Sequence, residues 1–301
     1  MQTKTYREPI SIRSLGVSIA GALFVPAQSV SAPALIICHG AGEFKENYYS
    51  LCEFLADRGI ASLAIDMHGH GESGGARFHV RMKEWVADVR AALDFLSQHP
   101  QIDKDAIGAF GLSSGGTAIL ETALIDPRLS FLVPLDATVR NSMPLPLAML
   151  FKGLNLLGKL KERLTGDDLR LPMIKLFSLM KLASDVEINR KIRQNPRAGE
   201  ALKAFPLPGA AEAFFVDTLT RVSSITAPTL VLWGEDDELD PPKTAHLLFR
   251  ALTCEKAIQV IPGNGHVGHL DRNREQVFAL TADWVLQNIP SQSEHSARAV
   301  S

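Results

Sequence analysis

The chain has few cysteines, little net charge and no long apolar run, and each shortage excludes something. Three cysteines, Cys38, Cys52 and Cys254, are an odd number without C-x-x-C or His-rich companion spacing. That argues against a disulfide framework and a cysteine zinc site, and leaves buried free thiols in a reducing compartment. A net charge of −2 gives no electrostatic footprint for nucleic acid. No apolar stretch reaches the roughly 18 residues that a membrane span requires. The run L-G-V-S-I-A-G-A-L-F-V-P-A-Q-S-V-S-A has the outline of a signal-peptide core. It starts behind the mixed polar segment from Thr3 to Arg13, however, and its Gly and Pro punctuation suits a β-hairpin, so a cytoplasmic location is expected. No internal repeat is visible.

What is present is enough apolar material for a large core, 46% of 301 residues, expected as one domain with an insertion. Ile10 to Arg13 and Val17 to Val25 read as a hairpin turning around Ser14 to Gly16. Ala34 to Cys38 and Ala61 to Ile65 are short, wholly apolar runs of the kind buried on both sheet faces. A helix is expected through Leu51, Phe54 and Leu55, and a second over Val80 to Leu96, where Met82, Trp85, Val86, Val89, Leu93 and Leu96 recur at helical spacing. The strand Ala106 to Phe110, the helix Ser114 to Ile125 and the strand Phe131 to Leu135 follow. The pattern resumes with strands at Thr229 to Trp233 and Ala257 to Ile261, and helices near Pro242 to Leu252 and Arg274 to Asn288. Alternating strands and helices predict a mostly parallel, doubly wound α/β sheet whose functional site lies at the strands' carboxyl ends.

Two G-x-S-x-G patterns occur, at Gly111 to Gly115 and at Gly71 to Gly75. The second sits in the polar run D-M-H-G-H-G-E-S-G-G with no strand entering it. The first has an apolar strand behind it and small, apolar residues at helical spacing ahead, so Ser113 is the candidate nucleophile and Ser73 is not. A serine needs a base, and the base needs a carboxylate to fix its tautomer. The glycine-rich loop I-P-G-N-G-H-V-G-H-L offers His266, with His269 as the alternative. The acidic turn G-E-D-D-E-L-D-P-P lies just past a strand and ahead of the histidine, and Asp237 is the candidate acid. Asp236, Asp240 and Asp136, which also ends a strand, remain alternatives.

These residues carry a resemblance. H-G at His39, D-x-x-G-H-G-x-S at Asp66 to Ser73, the elbow G-L-S-S-G, then G-E-D-D and G-N-G-H resemble the α/β-hydrolases in order and spacing. The front half is similar to serine carboxylesterases of the feruloyl esterase and monoacylglycerol lipase kind. The resemblance implies the α/β-hydrolase fold, a sheet of about eight strands with an inserted helical cap. It implies oxyanion donation by the backbone amides of Ala41 and Ser114, and loop-bracing roles for His39, Asp66, His68 and His70. It places the core at 1–136 and 216–290 and the cap at 137–215, and the polar run 291–301 is expected to be a disordered tail.

The expected activity is hydrolysis of a carboxylic ester, a small molecule with an apolar acyl or aryl part, through an acyl-enzyme. No cofactor and no metal are called for; His68, His70 and His79 are too loosely spaced to be read as ligands. The same groups would serve a thioesterase, a lactone or amide hydrolase or an acyltransferase, and a hydrolase fold without turnover is the reading from another class. The insertion carries the stripe Leu147, Leu150, Leu154 and Leu157, methionines at 143, 149, 173 and 180, and thirteen Lys or Arg against seven Asp or Glu. This excess, roughly +6, suggests attraction of an anionic substrate or an anionic membrane surface.

Overall fold

The structure is a computed structural model and describes residues 6–27, 30–141, 144–173, 180–207, 209–212 and 215–289. Met143 and the tail from Ser291 to Ser301 lie outside the described residues. The chain opens with β1 (Tyr6–Ser14) and β2 (Val17–Val25), an antiparallel hairpin. Its two-residue turn uses Leu15 at φ 45 and Gly16 at φ 87, left-handed values that match the strands' twist. Six further strands complete the sheet: β3 (Ala32–Cys38), β4 (Ala61–Ile65), β5 (Ile102–Leu112), β6 (Leu132–Leu135), and, past the intervening segment, β9 (Thr229–Gly234) and β10 (Lys256–Ile261). The strand order is β1-β2-β4-β3-β5-β6-β9-β10, parallel from β4 onward. The fold is therefore an α/β-hydrolase sheet of the expected strand number.

Period-two side-chain alternation splits the core into two layers. On β3, Ala34, Ile36 and Cys38 join one cluster, together with Trp85, Val89 and Leu93 of helix α2 (Met82–Ser97), Ile119 of α3 (Ser114–Ala123) and Leu248 of α7 (Lys243–Ala251). Leu35 and Ile37 face the other cluster, with Leu51 and Leu55 of α1 (Tyr49–Ala56) and Val277 and Phe278 of α8 (Arg274–Gln287). Helices thus cover both faces, which is why the central strands are apolar throughout.

Between β6 and β9 the chain forms α4 (Leu145–Thr165), α5 (Val186–Gln194) and α6 (Pro196–Lys203). It also forms a feature the helical expectation lacks. Leu169–Leu171 (β7) and Phe205–Leu207 (β8) pair as an antiparallel ribbon. Pro206 sits in β8, where a two-stranded ribbon tolerates a missing donor, and Gly158 of α4 packs so closely on Leu207 that a Cβ would lie 2.8 Å from its carbonyl oxygen. The ribbon also anchors the segment to the core, since Asp168 lies 3.0 Å from His79 Nε2. Arg81 pairs with Glu162 of α4 at 2.7 Å.

Candidate active site

At the carboxyl end of β5 the chain reverses into α3 through Ser113, held at φ 52 and ψ −118. A non-glycine residue there is strained, and such strain marks sites where the surrounding structure over-determines the backbone. The flanking glycines show how. A Cβ on Gly111 would lie 2.4 Å from the Gly115 carbonyl, and one on Gly115 would lie 2.4 Å from the Cys38 carbonyl oxygen. The strand and helix meet only because both positions are bare. The Ser113 amide donates to Leu135 O at 3.0 Å, tying the turn to β6.

His266 and Asp237 converge from separate loops. Asp237 follows β9 in a turn where its Oδ1 accepts the amides of Leu239 at 2.8 Å and Asp240 at 3.0 Å. Its Oδ2 lies 2.9 Å from His266 Nδ1, both residues being buried. The loop carrying His266 is fixed by the Gly265 amide on Asp271 Oδ2 and by the Val267 amide on Leu182 O. Burial alone would lower the His266 imidazole, but the charge and hydrogen bond of Asp237, with Asp136 and Asp240 behind it, outweigh that and raise it. Among the described residues His266 Nε2 makes no hydrogen bond.

The alternatives take other positions. Asp136 is fully buried at φ 46, and its Oδ1 accepts the Gly234 amide at 2.7 Å. Burial, reinforced by the charge of Asp237, raises its carboxyl well above the usual range. Asp236 accepts the Ser184 hydroxyl at 2.7 Å. Asp240 accepts the Thr138 hydroxyl at 2.7 Å. His269 is fully buried and stacks on Tyr48, ring centroids 4.2 Å apart and 3° from parallel.

The two residues expected to supply oxyanion amides lie next to the serine in the chain or in space. Ser114 opens α3, so its N–H has no carbonyl a turn behind it. Ala41 follows Gly40, whose Cα lies close enough that a Cβ would meet the Ser113 Cβ at 3.5 Å. The loop holding Ala41 is closed on itself: Gly40 N donates to Glu43 Oε2, and Glu43 N to Gly40 O, each at 3.2 Å. Glu43 also accepts the Tyr48 hydroxyl at 2.6 Å and approaches His269 at 3.5 Å. Burial would raise the Glu43 carboxyl, yet His269 and Tyr48 hold it down at about 2. The sequence had offered His269 as a base, whereas its position makes it a prop for this loop.

The remaining conspicuous residues brace. His39 Nε2 accepts the Met67 amide at 2.9 Å, Asp66 binds the Lys45 ammonium at 2.8 Å, and His68 Nδ1 lies 2.5 Å from Asp88. Ser73 donates to Asp66 O and accepts the Ala20 amide, which commits that hydroxyl to the loop. Among the described residues no group of His, Cys, Asp or Glu is arranged to hold a metal ion, and no helix is long and apolar enough to cross a membrane. Thr138, whose hydroxyl lies 3.4 Å from Ser113 Oγ, belongs to the site and had no sequence signal beyond following a strand end.

A family model described as serine aminopeptidase, S33, matches residues 30–273. A monoacylglycerol lipase of Mycolicibacterium smegmatis is 22% identical over 258 residues, covering 85% of this chain and 88% of that enzyme. The thiohydrolase aneE of Aspergillus aculeatus is 31% identical over 148 residues, 47% of this chain and 46% of that protein, so the chain spans less than half of that relative. Among solved structures, the α/β hydrolase GrgF of a Penicillium species superposes with a TM-score of 0.78 at 19% identity, over 94% of this chain and 99% of that one.

Proposed function

Because the chain belongs to the serine aminopeptidase S33 family and is an α/β-hydrolase of the esterase and monoacylglycerol lipase kind, we propose that it cleaves a carboxylic ester through an acyl-enzyme, with Ser113, His266 and Asp237 as its triad. The observation that carries the reading is the buried contact of His266 Nδ1 with Asp237 at 2.9 Å, in a chain whose elbow serine stands at φ 52. Asp237 fixes the tautomer that leaves Nε2 as the base. Ser113 Oγ attacks the carbonyl carbon while Nε2 takes its proton. The tetrahedral oxyanion receives hydrogen bonds from the amides of Ala41 and Ser114, donors typically worth about 2.7 to 4 kcal/mol each. Collapse expels the alkoxide, which takes the proton from Nε2, and water then repeats the sequence on the acyl-enzyme.

The segment 137–215 is read as a cap whose shape selects the acyl group, with the core at 1–136 and 216–290. A second reading, thioester cleavage by the same groups, is favoured by the likeness of part of the chain to a thiohydrolase. Matched esters and thioesters sharing one acyl group separate the two by their kcat/KM ratio.

A fluorophosphonate probe tests the serine mechanism. The wild-type protein is expected to be labelled at Ser113, and Ser113→Ala to be unlabelled and slower by about 10⁴-fold or more. Absence of labelling in the wild type, or undiminished labelling in the variant, defeats the proposal.

A further inference from the structure

Asp240 and Thr138 stand beside the catalytic groups without a part in the scheme above, and their bonds form a continuous path. The Thr138 hydroxyl donates to Asp240 Oδ2 at 2.7 Å and lies 3.4 Å from Ser113 Oγ. The residue is clamped to the elbow: its amide donates to Ser113 O at 3.4 Å, and its carbonyl accepts the Thr117 hydroxyl at 2.6 Å. Asp240 is equally fixed, its amide donating to Asp237 Oδ1 at 3.0 Å and its carbonyl accepting Trp233 Nε1 at 2.6 Å. Serine and triad acid are thus joined by a route that bypasses His266.

We propose that Thr138 and Asp240 form a positioning relay that sets which way the Ser113 hydroxyl points. The inference rests on Ser113 being the nucleophile. A threonine has one hydroxyl proton. While that proton goes to an Asp240 carboxylate, Thr138 can only accept, so Ser113 donates to Thr138 and its proton faces away from His266. When Asp240 is protonated, the carboxylic acid donates to Thr138, Thr138 donates to Ser113 Oγ, and in the molecules whose imidazole is neutral the serine proton is free to face His266 Nε2. Between the two states Asp240 exchanges one proton with solvent, and the two hydrogen bonds made by the Thr138 hydroxyl reverse direction, while the Asp240 amide donates to Asp237 in both.

The surroundings of Asp240 allow both states near neutrality. It is 5% exposed, and burial pushes its carboxyl up to about 7. The groups facing it are His266, whose charge lowers that value, Thr138, whose hydrogen bond lowers it, and Asp237, whose charge raises it. Asp136, at the end of β6, faces both the histidine and Asp240, whose charge raises the Asp136 carboxyl. The structural account of Asp240 as a simple brace predicts no titration at the serine; the relay does.

The test is the rate of fluorophosphonate labelling from about pH 5.5 to about pH 9.5 for wild type, Thr138→Val, Thr138→Ser and Asp240→Asn, each checked for folding by circular dichroism. Dividing each variant's rate by the wild-type rate cancels the titration of His266 where its environment is unchanged. Thr138→Val is expected to label more slowly than wild type below about pH 7 and faster above it, by about fivefold at each end, the size of one ordinary hydrogen bond. Thr138→Ser keeps the hydroxyl and is expected to restore the wild-type profile. Asp240→Asn cannot titrate and is expected to lose the step near pH 7. A constant Thr138→Val ratio across the range overturns the relay. If that variant fails to fold, persistence of the step in folded Asp240→Asn overturns it instead. Absence of Ser113 labelling in the wild type is a different result, defeating the serine reading itself.

Discussion

Around His266 three aspartates lie close enough to affect its proton, and only Asp237 bonds it. Replacing Asp237 with Asn removes the charge and the acceptor that favour the imidazolium, while replacing Asp136 removes a carboxyl that does not bond the ring and whose ionisation burial opposes. Asp237→Asn is therefore expected to lower kcat/KM by about 10⁴-fold, and Asp136→Asn by less than about tenfold. The sign of the pH effect follows from the raised His266. The base works only when deprotonated, so the acid limb of kcat/KM should lie above the ordinary imidazole range, and Asp237→Asn should move it toward lower pH. Steady-state rates of both variants across pH check the assignment; equal losses would remove Asp237 from its role. At this scale the sequence was readable where chemistry imposes order: a serine on an elbow, then an acid past a strand, then a histidine after Gly-Asn-Gly. Thr138 and Glu43 were not readable in the same way, because their roles depend on contacts that chain order does not encode, Thr138 with Asp240 and Glu43 with the amide of Gly40.

Elements with an apolar period were legible almost to the residue. Ala61–Ile65 is a strand over the range its apolar run marks, and the hairpin differs mainly in β1 starting at Tyr6. The strand leading to Ser113 starts at Ile102 rather than Ala106, since Asp103, Lys104 and Asp105 interrupt the apolar pattern while the backbone stays extended. The β7–β8 ribbon was hidden for a different reason. Two runs of three residues, 34 positions apart, have no period to read, and only their pairing makes them strands. At the elbow the decisive element property is backbone contact between β3 and α3. Gly115→Ala would set a Cβ 2.4 Å from the Cys38 carbonyl oxygen, where neither partner is a side chain able to swing away. Overpacking of this kind costs about 1–3 kcal/mol, occasionally more. The variant is expected to lower the midpoint of thermal unfolding and to displace Ser113, losing labelling even in the folded fraction. Gly153→Ala, with nothing within 4 Å of its Cβ, serves as the control and should leave the midpoint within a few degrees or raise it, as alanine favours a helix. An unchanged midpoint in Gly115→Ala would show that the two elements can separate without loss.

Charge is distributed unevenly over the molecule: the segment 137–215 carries thirteen Lys or Arg and seven Asp or Glu in a chain of net charge −2. One place where that excess meets a concave surface is a cavity of about 420 Å³ lined by Arg140, Asn141, Lys152, Phe215, Val216 and Asp217. Arg140 is two residues beyond Thr138, whose hydroxyl approaches Ser113 at 3.4 Å, so one lining residue is close in the chain to the site. Asp217 offsets one of its two cations. A net single positive charge at a partly exposed site attracts an anion weakly, by up to about 1 kcal/mol, which corresponds to about fivefold in binding. Matched esters differing only in a carboxylate on the acyl chain give this argument its measurement. At low ionic strength the anionic ester is expected to have the lower KM, and raising salt until the screening length falls to about 3 Å should erase the difference. Arg140→Gln and Lys152→Gln should each reduce the low-salt preference while leaving kcat for the neutral ester unchanged, because the charge acts on capture and not on the reacting carbonyl. An identical salt response for the two esters would mean that the basic residues of this segment only keep its surface solvated, and selection would then rest on the shape and apolar lining of the segment alone.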